Sequence, residues 1–169
     1  MRKLKIGFSG NNKIGSRVLK WYMKKDYAHT FVQYDTKHHM GDDSIYHSSM
    51  ASGVGFYANE RFEEDNTKVL MYELEINDEI YIEIRKRLFT ECGRKYAHLQ
   101  NIGILIGDFL KGLGCSFDNP FREGLNCSEL VFLALCMLHP ELDIDYDRNT
   151  IRPDHIQDIL DFYGYTRVL

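Results

Sequence analysis

The chain lacks most features that would assign it to a specialised class. There is no internal repeat, low-complexity tract or proline-rich linker. The 169 residues therefore read as one domain, 1–169, long enough to bury a core without staples. No apolar run reaches the ~18 residues of a membrane span and no signal-peptide pattern appears, so a cytoplasmic protein is expected. Cys92, Cys115, Cys127 and Cys136 include no C-x-x-C pair. That spacing argues for reduced thiols over a disulfide framework, and against a structural zinc site.

Two motif-like stretches each lack a decisive residue. Gly10–Ser16 follows a strand pattern and precedes a helix pattern, but has no lysine between its second glycine and serine to reach nucleotide phosphates. Asp143, Asp145, Asp147 and Asp154 echo a calcium loop, yet Arg148 stands where the sharp turn needs glycine. A helix-capping turn and a solvated acidic loop are the expected readings. Acids are also missing from residues 1–25, which carry Arg2, Lys3, Lys5, Lys13, Arg17, Lys20, Lys24 and Lys25. Weak contact with an anionic surface is expected there, and specific nucleic-acid binding is not. Ile14, Val18, Trp21 and Tyr22 fall at helical spacing, which places the segment within the fold.

The patterning that is present is mixed. Strands are expected near 3–8, at His29–Tyr34, Ser44–Ser49 and Val69–Ile76, with a polar loop over Asp35–Asp43. Helices are expected over 14–25, from Asn77 or Asp78 to about Cys92, over 99–113, from Cys127 to Leu138, and from Pro153 to Gly164. Strands and helices are partly segregated, which favours α+β over alternating βαβ units.

Chemistry concentrates at Asn126-Cys127-Ser128-Glu129-Leu130-Val131-Phe132. Asn126 and Glu129 have capping-box spacing, which makes Cys127 the first helical residue, beside unsatisfied N–H groups and the positive helix end. Both features favour a thiolate. A nucleophilic cysteine also needs a base and a group to orient that base. His29 and His47 are the two of seven histidines that sit in expected strands. Strand alternation puts His29, Phe31 and Gln33 on one face of the first strand, and Ile45, His47 and Ser49 on one face of the next. If these faces coincide, His29 can serve as base and His47 as its orienter; otherwise both are half-buried strand residues.

Tyr27-Ala28-His29-Thr30-Phe31-Val32 resembles the histidine strand of the circularly permuted papain-like amidases, a group related to NlpC cell-wall hydrolases, YiiX-like proteins and lecithin–retinol acyltransferase-like enzymes. Ile45-Tyr46-His47-Ser48-Ser49, followed by Gly53-Val54, looks like the next strand of that family. Asn126–Val131 is similar to its nucleophile helix, and Thr150–Asp154 to the opening of its last helix. The order histidine, second polar strand residue, cysteine is the permuted order. The resemblance spans about residues 5–163.

It implies an NlpC-like α+β fold, an antiparallel sheet packed against helices including the nucleophile helix. It further implies a cysteine hydrolase, a peptidase or amidase working through a thioester on Cys127 without cofactor or metal. His29 would be the base and His47 its orienter. The loop between them is longer than in the acyltransferase-like branch, so Gln33 and Tyr46 stand as alternatives to His47. The oxyanion would be held by the Cys127 N–H, with Tyr27 or Asn126 as second donor. Expected substrates are peptides or isopeptides. The alternatives are a lipid acyltransferase or hydrolase of the same fold, or a non-catalytic binding module.

Overall fold

The computed structural model describes residues 1–34, 44–117, 119–120 and 124–169. The polar loop Asp35–Asp43, with His38 and His39, lies outside the described residues. Among those described, the architecture is α+β, with six antiparallel strands and seven α-helices. The chain runs β1 (Arg2–Gly10), α1 (Ile14–Met23), β2 (His29–Tyr34), β3 (Ser44–Ser49), β4 (Gly53–Ala58), α2 (Asn59–Asp65) and β5 (Thr67–Ile76). It continues α3 (Asp78–Phe89), α4 (His98–Gly112), α5 (Cys127–Leu138), α6 (Leu142–Asp145), α7 (Pro153–Phe162) and β6 (Thr166–Arg167). The sheet order is β4-β3-β2-β1-β5-β6. No helix among the described residues is long and apolar enough to cross a membrane.

Strand alternation divides the apolar residues between two faces. On one, Leu4, Ile6 and Phe8 of β1 join Val32, Tyr34, Tyr46, Tyr72 and Leu74. This face packs against α5 through Leu130, Val131 and Phe132, with α3 and α7 completing the core. Apart from Glu129, α5 is buried from Cys127 through Leu135, as expected of a central helix that is apolar all round. The opposite face holds a smaller cluster, Phe31, Ile45, Met71 and Phe62, the last being the one buried residue of α2. The Phe31 ring lies across β1 at Gly7, where any Cβ would collide with it.

β2, β3 and α5 have the bounds their patterns predict. Neither β4 nor α2 is marked in the sequence. β4 carries Gly53 and Gly55, and α2 is a polar segment whose helical stripe reduces to Phe62. α3 ends at Phe89, three residues before Cys92, because the chain leaves the helix in a turn after Thr90. α1 is a helix as expected, but Leu19 and Met23 face inward while Ile14, Val18 and Trp21 stand in solvent.

Candidate active site

The approach to α5 is fixed before the helix begins. Gly124 has φ 98°, and a Cβ there would strike Lys95 O and Ala97 N, so glycine lets residues 95–97 run close alongside. Leu125 N then donates to Lys95 O at 3.0 Å. Asn126 is extended, and its Oδ1 accepts from Glu129 N at 2.8 Å. The Glu129 carboxylate lies against the Asn126 backbone N–H and takes Gln100 Nε2 at 3.5 Å. The Asn126 cap of the expected capping box therefore forms, and Cys127 is the first residue of α5.

That helix start sits in a fork of the sheet. The β2–β3 ladder covers Val32↔Tyr46 through Tyr34↔Ser44 and stops short of His29 and His47. On one tine, Thr30 lies against the Cys127 thiol. On the other, Ser48 Oγ donates to Leu125 O at 2.6 Å. Both residues are fully buried. Each follows a histidine in sequence, and those histidines point to the other face.

His29 Nε2 and His47 Nδ1 are 3.0 Å apart, and the rings meet edge to face. Phe62 stacks near His29 and lies edge-on to His47, whose ring also meets Tyr57. The faces of the two strands thus coincide and the expected imidazole pair forms. It forms on the α2 side, however, with the β2 backbone between it and Cys127. Among the described residues neither imidazole hydrogen-bonds to Cys127 Sγ, which has Ser128 Oγ at 4.0 Å and Thr30 beside it.

The alternatives for the orienting role separate cleanly. Tyr46 points into the α5-side core, where its hydroxyl donates to Leu88 O. Gln33 shares the His29 face, but its Oε1 accepts from Lys68 Nζ at 3.3 Å. His47 is the one that hydrogen-bonds to His29 among the described contacts. Tyr27 is turned toward α7, donating to Gln157 Oε1, and its ring leans on Phe8. Its hydroxyl is thereby committed away from the thiol, which corrects its expected place as an oxyanion donor. Asn126 behaves otherwise. Its cap bond fixes which atom is oxygen, and the buried Nδ2 has no partner among the described residues.

Electrostatics depart from the sequence expectation. Burial pushes the Cys127 thiol above its ordinary pKa, outweighing the thiolate-favouring groups of Thr30 and Ser128. The expected thiolate at a helix start is therefore a neutral thiol here, because desolvation of a 4% exposed sulfur exceeds what those groups return. Burial lowers His29 to about 4. Burial, and then the neighbouring His29, lowers His47 to about 3. All three groups are neutral at pH 7. His47 Nε2 is buried without a partner.

Beside Cys127 lies a mainly apolar cleft lined by Leu19 and Met23 of α1, Ile104 and Leu105 of α4, and the Ile151–Pro153 segment. It has room for about one water molecule. Among the described residues no three His, Cys, Asp or Glu side chains converge as metal ligands. The acidic loop is closed by Arg148, which pairs with both carboxylate oxygens of Asp143 at 2.6 and 2.7 Å. The Gly10–Ser16 turn is held by Lys13 N donating to Asn11 Oδ1 at 3.1 Å. No protein-family model matches the chain, and no curated protein matches it at a significant level.

Proposed function

We propose that the protein is a cysteine-dependent hydrolase of the permuted papain-like type, cleaving an amide bond through a thioester on Cys127. The observation that carries this reading is the fork. The start of α5 is wedged between Thr30 and Ser48, and the residues preceding these two, His29 and His47, form a bonded pair. The mechanism requires the thiol and His29 to meet through that fork, where the β2–β3 ladder is already open.

The imidazole pair has a tautomer suited to the role. If His29 Nε2–H donates to His47 Nδ1, then His29 Nδ1 keeps its lone pair and is the basic atom. His47 acts as orienter, a positioning residue in the sense of a triad's third member. Because thiol and imidazole are both neutral, the first step is general-base transfer from Sγ–H to His29 Nδ1 as sulfur attacks the carbonyl. The oxyanion falls to the Cys127 N–H at the helix start and to the unpartnered Asn126 Nδ2. Collapse breaks the C–N bond, and the His29 imidazolium returns its proton to the departing amine. Water, deprotonated by His29, then attacks the thioester, releasing the acid and regenerating the thiol.

A peptide or isopeptide is the favoured substrate class, on the strength of the YiiX-like motifs. A second reading, a non-catalytic binding module, draws on the buried thiol and the β2 backbone between it and the histidines. A thiol-directed acyl probe read by intact mass separates the two. The catalytic reading expects one adduct, on Cys127, lost in Cys127→Ala and slowed at least tenfold in His29→Ala. Uniform labelling of all four cysteines, no labelling, or Cys127 labelling indifferent to His29→Ala removes it.

A further inference from the structure

Helix α1 carries an apolar stripe that stands in solvent and a basic stripe beside it. Ile14, Val18 and Trp21, spaced four and three residues apart, are 81%, 45% and 80% exposed. One residue ahead of each, Lys13, Arg17 and the half-buried Lys20 repeat the same spacing, and Lys24 follows as the left-handed cap of the helix. The first turn has no acid. Lys13 reaches Asp65 only at 3.9 Å between exposed side chains, while Arg17, Lys20 and Lys24 form no ion pair with the described residues. The opposite side of the helix does the packing, with Met23 buried, Leu19 against the Cys127 cleft, and Tyr22 OH donating to Asp108 Oδ2 at 2.7 Å.

An exposed apolar stripe by itself does not name its partner. α4 exposes one too, through Leu99, Ile102, Ile106, Phe109 and Leu113, without a basic stripe beside it. What distinguishes α1 is the pairing of an apolar ridge, with a tryptophan in it, to a row of cations. A short amphipathic helix of this composition suits the boundary between acyl chains and anionic headgroups. There the indole sits at headgroup depth, and long basic side chains bury their stems while their charges stay at the phosphates.

We infer that α1 docks the protein on anionic bilayer surfaces, with Ile14, Val18 and Trp21 entering the interface and Arg17, Lys20 and Lys24 meeting the headgroups. This does not rest on catalysis by Cys127. Trp21 is the chain's one tryptophan, so the proposed contact residue is its own reporter. Full-length protein is mixed with vesicles of phosphatidylcholine alone, or of phosphatidylcholine with phosphatidylserine, and followed by tryptophan emission and co-sedimentation. Phosphatidylserine vesicles are expected to shift emission to the blue and to sediment the protein, both effects fading in high salt. Arg17→Glu with Lys20→Glu should weaken binding by about thirty-fold or more. Ile14→Ser with Val18→Ser should abolish the blue shift, with unchanged far-UV circular dichroism confirming that these exposed positions leave the fold intact. Equal binding to the neutral vesicles, no shift on either, or a concentration-dependent shift without lipid, which means self-association, overturns the proposal.

Discussion

The two faces of the sheet are built for different ends. The α5 face is thick and almost wholly apolar, from Leu4 and Ile6 across Val32 and Leu74 to Phe132 and Ile156. The α2 face is thin, with four apolar residues and, buried beside them, Ser9, Gln33 and His47. Polar groups buried under so little cover cost stability, and Ser9 Oγ and His47 Nε2 lack any partner. The larger apolar cluster lies on the first face together with Cys127, and the imidazole pair lies on the second. Between the two the β2–β3 ladder is open beyond Val32 and Tyr46.

The sharpest way to break this division is to remove one phenyl ring from each face. Phe132→Ala should cost about 3–5 kcal/mol in urea unfolding, the usual loss for a fully buried core ring. Phe62→Ala should cost less, and it should also let water reach His29 and His47, raising both pKa values toward 6.5 in a histidine NMR titration. Equal losses at the two sites, or imidazole pKa values unmoved by Phe62→Ala, would erase the distinction.

The next effect in size is on pH dependence. His29 and His47 sit near 4 and 3 in the folded protein against 6.5 for an ordinary imidazole. Between those values the unfolded chain binds protons that the folded chain refuses. Their contribution is thus fully present above pH 6.5 and is lost as pH falls toward 4. Unfolding free energy should drop by roughly 2 kcal/mol for each imidazole, on the order of 5 kcal/mol for the pair, between pH 7 and 4.5, and His47→Gln should about halve that drop. A flat profile would mean that the pair is solvated.

Asn126→Ser probes the α5 side of that opening. Serine keeps an N-cap oxygen, so stability should change by less than about 1 kcal/mol. Loss of the Nδ2 donor should lower turnover by about a hundredfold or more if it holds the oxyanion. The smallest effect is at the surface. Arg148→Ala opens an exposed pair with Asp143 and should shift stability by no more than about 1 kcal/mol, measured in the same denaturant series.

Much of this was legible beforehand, for reasons that differ by element. β2, β3 and α5 were readable because their periodicity and caps are strong, and Asn126 with Glu129 fixed the start of α5 to the residue. Alternation put each histidine on a face of its own strand, and only the β2–β3 register decided that the two faces coincide. Two things were hidden. Alternation says which residues share a face but not which face a distant helix will cover, so the side on which α5 lands could not be read from residues 29–34. Likewise, a capping box promises a helix dipole but says nothing of burial, and burial governs the Cys127 thiol. In α1 the apolar spacing identified the helix but not its inner side, where Leu19 and Met23 do the packing. α2 offered one phenylalanine among charges, too little for any periodic signal.

The strand order has a consequence for how the molecule comes together. β1, the first strand of the sequence, lies in the middle of the sheet, with β2 on one side and β5 on the other. Its pairing with β2 closes through a single helix, but on its other edge Arg2 lies opposite Ile76 and Gly10 opposite Thr67. Until β5 arrives, a ribosome-bound chain holds an unpaired central edge bearing Leu4, Ile6 and Phe8. Such long-range closure slows folding, and the waiting edge is a template for wrong partners. The charges of Arg2, Lys3 and Lys5 along that edge are well suited to keeping neighbouring nascent chains apart in the interval.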